Sequence, residues 1–176
     1  MRIYGSLLVL FLLLPACSTT TDQQEPLTDQ EREAKVDALL APAVSSLKEA
    51  IGDRRAGVAG LLKEGANFEP RVSKYIAPRM TARLVEAGAT MVERRDLDRV
   101  MEALVQEMSD VIDEDTRVEI GRMAGAELLV LGTVKDLTRS IYRLLLKLLD
   151  LETGKILMTV EVDIPRSLLP IQYGGV

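Results

Sequence analysis

The stretch Arg122-Met123-Ala124-Gly125-Ala126-Glu127-Leu128-Leu129-Val130-Leu131-Gly132-Thr133-Val134 constrains the fold more than any other. Gly125 stands where the end of a helix needs a residue in the left-handed region. Leu128–Leu131 then form an unbroken apolar run. A run without polar alternation fits a strand covered on both faces, at the centre of a sheet. Periodicity alone cannot separate such a strand from a buried helix, and the flanking Gly125 and Gly132 decide for strand.

Other elements follow from spacing. Thr28-Asp29-Gln30-Glu31 is a capping-box pattern that opens a helix. Val36, Leu39, Leu40, Ala43, Val44, Leu47 and Ile51 continue it at helical intervals to about Ala50, with Pro42 off the stripe and expected to kink it. That stripe is expected to pack on the domain's own sheet rather than on a partner. Arg55–Leu62 is a strand candidate, weakened by Gly57 and Gly60. Arg71–Ala87 is a helix that must accommodate Pro78, either by kinking or by starting near Ala77. Ala89–Glu93 is a short strand. Asp96 caps a helix carried by Leu97, Val100, Met101, Leu104, Val105 and Met108, and Asp113 caps another that ends at Gly125. The methionines read as core filling.

Ser140–Leu151 fits both periods. Leu144, Leu145, Leu148 and Leu149 suit a helix, whereas Tyr142, Leu144, Leu146 and Leu148 suit one face of a strand. Its neighbour settles the matter. Glu152-Thr153-Gly154-Lys155 is a hairpin turn. Ile156, Met158, Val160, Val162 and Ile164 then alternate with Leu157, Thr159, Glu161 and Asp163 as a half-buried strand. A hairpin needs two arms, so Ser140–Asp150 is the first. The resulting class is α/β: a two-layer or three-layer-like mixed sheet, with crossover helices early and a C-terminal β-hairpin.

The N-terminus reads as an address. Arg2 supplies a positive start, and Leu7–Leu14 an apolar segment too short to span a bilayer. Leu14-Pro15-Ala16-Cys17 resembles a bacterial lipobox, and Cys17 is the single cysteine, so no disulfide partner competes for it. The expected organisation is residues 1–16 as lipoprotein signal peptide, 17–27 as flexible tether, 28–164 as the α/β domain and 165–176 as a tail. That tail is expected to fold back on the domain rather than serve as a docking segment. Ser18 after Cys17 fits the sorting pattern for the outer membrane, facing the periplasm. Several acyl chains would make the attachment stable.

Composition excludes much. Loss of the signal removes Arg2 and no acid, taking the formal charge from −5 to −6, which argues against nucleic acid as a partner. Two Phe, four Tyr and no Trp leave little for stacking on bases or sugars. The chain has no His, which removes the commonest general base and metal ligand, and zinc or thiol chemistry lacks its donors. No catalytic, cofactor-binding or metal residue is expected. Ser73-Lys74 is too generic for a nucleophile pair, since adjacent helical residues do not face each other. Glu93 and Asp96 suit cap and surface roles better than a cleft pair.

Three motifs carry a family resemblance. They are Val92-Glu93-Arg94-Arg95-Asp96-Leu97, the stretch from Ile120 to Val134, and Leu149-Asp150-Leu151-Glu152-Thr153-Gly154-Lys155-Ile156. In this order behind a lipobox, they resemble the superfamily of curli-secretion (CsgG), flagellar (FlgO) and penicillin-binding-protein-activating (LpoB-like) lipoproteins, nearest to the FlgO and CsgG types. The Val58–Leu62 strand departs from the superfamily's usual pattern. The resemblance implies a non-enzymatic envelope-assembly lipoprotein. It would be held to membrane lipid through acylated Cys17 and face a periplasmic protein partner, with monomer and oligomer both open. Flagellar support is the first expectation and activation of a cell-wall synthase the second. The alternative is a subunit of a CsgG-like secretion channel, but the chain carries no spare paired strands for a pore.

Overall fold

The computed structural model describes residues 27–66, 68–93, 95–97, 119 and 122–175. Cys17 and most of the two helices expected between Asp96 and Gly125 lie outside these residues. Helix α1 (Asp29–Ile51) starts as expected: Thr28 Oγ1 accepts the Glu31 N–H at 3.2 Å, and Glu31 Oε2 accepts the Thr28 N–H at 2.8 Å. The reciprocal bonds satisfy donors that the helix start leaves open. They hold the Glu31 carboxyl below its ordinary value, the backbone bond from Thr28 first. The helix runs through exposed Pro42.

Strand β1 (Arg55–Lys63) follows, then α2 (Arg71–Glu86) and the two-residue β2 (Thr90–Met91). Pro78 lies within α2 on its exposed side, where the Lys74 carbonyl that loses an N–H donor faces solvent. Strand β3 (Leu128–Asp136) carries the apolar run, and Gly125 before it has φ 78° as anticipated. Strands β4 (Ile141–Asp150) and β5 (Ile156–Pro165) form the hairpin, turning at Gly154 with φ 69°. Two 3₁₀ turns, η1 (Arg166–Leu168) and η2 (Ile171–Tyr173), close the chain.

The sheet order is β2-β1-β3-β4-β5. β1 is parallel to β2 and β3, while β3–β4 and β4–β5 are antiparallel. The class is therefore the expected mixed α/β sheet. One face carries α1 and α2 and the main core: Leu40, Leu47, Val58, Leu61, Ile76, Met80, Leu144, Leu146, Leu148 and Ile164 among others. The stripe of α1 is thus spent on the domain itself. The opposite face buries Val92, Leu97, Leu129, Leu131, Leu149 and Leu151. Covering on both faces is what an unalternating Leu128–Leu131 requires.

Two sequence expectations need correction. Ala89–Glu93 shortens to two strand residues, because β2 meets β1 only at Arg55–Thr90 and Ala56–Met91. Asp96 is already helical, with its N–H directed to the Glu93 carbonyl at 3.0 Å, so the cap precedes it. The tail folds back as expected: Leu169 is buried and Tyr173 packs on Tyr75 with ring centroids 5.3 Å apart. Among the described residues no helix is long and apolar enough to cross a membrane.

Candidate functional site

The strand directions give the domain two ends. At one end lie the loop after β1, the loop between β3 and β4, the tail and the start of α1. At the other lie Arg54, Arg55, Glu127 and the β4–β5 turn. Helix α1 connects them. Its 23 residues span about 34 Å at the usual rise.

A cleft of about 260 Å³ opens at the second end, lined by Arg54, Arg122, Ala126, Glu127, Asp150, Leu151 and Glu152. Four separate segments build it. Arg54, just after α1, donates through Nη1 to Asp150 Oδ2 at 3.0 Å. Arg122 donates Nε–H to the Leu151 carbonyl at 2.6 Å, and its Nη2 reaches the same oxygen. Glu127 accepts the Arg55 N–H at 2.8 Å. Asp150 Oδ1 accepts the N–H groups of Glu152 at 3.0 Å and Thr153 at 2.8 Å, which fixes the turn. These bonds, the Thr153 backbone bond foremost, hold the Asp150 carboxyl below its ordinary value.

Chemically the cleft is a mosaic of two guanidiniums and three carboxylates with a buried leucine at its floor. Each guanidinium already holds an oxygen in place. The cleft contains no hydroxyl, thiol or imidazole nucleophile, and it suits recognition of polar and charged groups rather than bond-making. Among the described residues no group of three or more acidic, His or Cys side chains is arranged to hold a metal ion. Sequence reading did not single out this cleft, because its residues come from segments far apart in the chain. The hairpin motif around Asp150 was the only local signal.

The side chains considered for chemistry are placed elsewhere. Ser73 is buried, whereas Lys74 is exposed on the same helix. Ser73 Oγ accepts the Leu61 N–H at 2.7 Å and donates to Glu69 Oε1 at 2.6 Å. Glu93 pairs with Arg95 at 3.2 Å. These are structural bonds.

A mixed sheet with two helices on one face and a C-terminal hairpin is the architecture of a small periplasmic lipoprotein domain, and solved structures bear this out at the level of the fold. The chain is similar to the LpoB C-terminal domain from Salmonella enterica, with TM-score 0.57 and 17% identity over 73% of this chain and 97% of that one. The LpoB C-terminal domain from Escherichia coli gives TM-score 0.54 and 17% identity over 71% and 94%. The solution structure of E. coli LpoB gives TM-score 0.52 and 13% identity over 94% and 84%. The chain therefore has an LpoB-like fold. No protein-family model matches it, and no curated protein matches it.

Proposed function

We propose that this protein is a non-enzymatic outer-membrane lipoprotein, held on the periplasmic face through acylated Cys17, that docks a periplasmic assembly enzyme at the charged cleft. The observation that carries the proposal is the opposition of the two ends of α1. The chain enters from Cys17 at Thr28, and the Arg54–Arg122–Asp150–Glu152 cleft lies about 34 Å away along a 23-residue helix. An anchor at one end presents the other to the periplasm. The LpoB-like fold favours the branch of the resembled superfamily that activates penicillin-binding proteins, so a cell-wall synthase is the preferred partner. Support of a flagellar assembly, the first expectation from sequence, becomes the second reading. It rests on the Val92–Leu97 and Leu149–Ile156 motifs.

A photo-crosslinking residue at Glu152 in the lipidated chain, followed by capture from intact envelopes, tests the reading. Recovery of a cell-wall synthase is expected, and recovery of flagellar components would exchange the two versions. Recovery of neither, with the protein folded and anchored, would sink both.

A further inference from the structure

The exposed apolar side chains are not scattered. Three of the largest stand on three different loops at the end of the domain where the chain enters from Cys17. Phe68, on the loop between β1 and α2, is 57% exposed; Leu137, between β3 and β4, is 38% exposed; Ile171, in η2, is 80% exposed. The bonding around them shows that the loops share one end. Lys63 N–H donates to the Phe68 carbonyl at 2.9 Å, and Glu64 N–H to the Val134 carbonyl at 2.8 Å. Leu137 N–H donates to the Ile141 carbonyl, and Arg166 N–H to the Ser140 carbonyl. The Asp136 carboxylate joins them, paired with both Lys63 and Arg166. Ile171 borders a groove whose other wall is Asp29, Arg32 and Glu33, the first turns of α1.

We infer that this end of the domain rests on the phospholipid surface, with Phe68, Leu137 and Ile171 entering the interface. The inference rests on the acylated Cys17 of the proposed function. From Cys17 to Thr28 the chain reaches at most about 36–40 Å even when fully extended. A domain about as long as its own α1 is therefore never far from the bilayer. A bare connection of that length leaves its orientation free. Apolar residues on separate loop tips at the attached end select one orientation, because each removes its exposed surface from water on entering the interface. Arg71 and Arg139, exposed and close in sequence to Phe68 and Leu137, are placed to meet lipid phosphates. The charged cleft at the other end then points straight into the periplasm, whereas the apolar loops stay hidden from soluble proteins.

The test uses the lipidated full chain in phosphatidylethanolamine/phosphatidylglycerol vesicles. A polarity-sensitive dye is attached through Phe68→Cys, Leu137→Cys, Ile171→Cys or, at the far turn, Lys155→Cys. An acylated Cys17 has no free thiol to take the dye. The expected result is a blue shift and loss of most emission to brominated lipid at the three loop sites, with neither at position 155. Absence of quenching at all three loop sites overturns the inference, as does equal quenching at position 155. A blue shift that follows protein concentration instead of brominated lipid also overturns it, in favour of contact between copies. Failure of the anchor reads differently: the unmutated chain would take the dye at Cys17 and would not float with the vesicles.

Discussion

Ser73 Oγ accepts the Leu61 N–H at 2.7 Å, and this single bond resolves an irregularity in the sheet. Between the pairs Val58–Val130 and Leu61–Gly132, β1 holds one residue more than β3. The bulge leaves an N–H without its strand partner and changes which face the later residues of β1 present. Ala56 and Val58 face the helices before it, and Leu61 faces them after it. Without the extra residue Leu61 would turn to the other face. The hydroxyl of α2 thus satisfies the donor that the bulge sets free.

Replacing that hydroxyl tests whether its role is structural. Ser73→Ala leaves the buried Leu61 N–H and the Glu69 carboxylate without their partner, and it should cost about 1–3 kcal/mol. The loss appears in chemical denaturation. Capture of the envelope partner by the protein that remains folded should be unchanged. Loss of capture with stability intact would contradict the structural assignment.

Gly132 offers a steric counterpart. A Cβ there would stand 2.5 Å from Leu61 Cδ2 and 3.0 Å from the Leu145 carbonyl oxygen. The leucine tip can shift, but the carbonyl belongs to the β3–β4 ladder. Gly132→Ala should therefore destabilise by about 1–3 kcal/mol, the usual cost of overpacking. Thermal unfolding followed by circular dichroism reads the effect. Gly154→Ala is the comparison: its positive φ is strained, but its surroundings are open within 4 Å. It should lack the steric share of the loss.

These positions also separate what was legible in the sequence from what was not. Elements written in local periodicity could be read: the Thr28–Glu31 capping box, the apolar stripe of α1, the Leu128–Leu131 run and the turn at Gly154. Even the ambiguous Ser140–Asp150 segment followed from its neighbour. In the fold Leu144, Leu146 and Leu148 enter the helix-side core while Arg143 faces the other way and pairs with Asp163 at 2.7 Å. The bulge could not be read, since it depends on the register of β1 against a strand far away in sequence. The charged cleft was hidden for the same reason: Arg54, Arg122, Glu127 and Asp150 meet only once the strands pair. Ile156 shows the limit of alternation. It belongs to a regular pattern, yet it stands 52% exposed at the turn end of an edge strand.

Asp150 yields a pH dependence. Its folded carboxyl lies below its ordinary value, held by the Thr153 backbone bond and, among lesser causes, Arg54. A depressed carboxyl contributes stability that is present above the unfolded value of about 3.9 and is lost as pH falls through the folded value. Asp150→Asn keeps an acceptor for the turn but removes the titration. The variant should be less stable than the unmutated chain at neutral pH, and the gap should close below about pH 4. Denaturation midpoints measured from pH 7 down to acid conditions would show it. A gap that stays constant across that range would assign the effect to packing instead.

Tyr75 predicts the opposite sign. Its hydroxyl oxygen is buried, and among the described residues it has no hydrogen-bond partner. Burial raises the phenol above its ordinary value. The ring itself is well used: Tyr173 packs on it, and the Arg79 guanidinium lies 5.2 Å from its centroid. Tyr75→Phe keeps both ring contacts and removes only the unsatisfied oxygen, so it should leave stability unchanged or raise it, by up to about 1 kcal/mol. Tyr75→Ala deletes the ring from beneath the tail and should cost several kcal/mol, about 3–5 by analogy with other buried aromatics. Equilibrium denaturation of the two variants beside the unmutated chain separates the hydroxyl from the ring. A loss on Tyr75→Phe comparable to that on Tyr75→Ala would mean that the oxygen holds a bond the fold depends on.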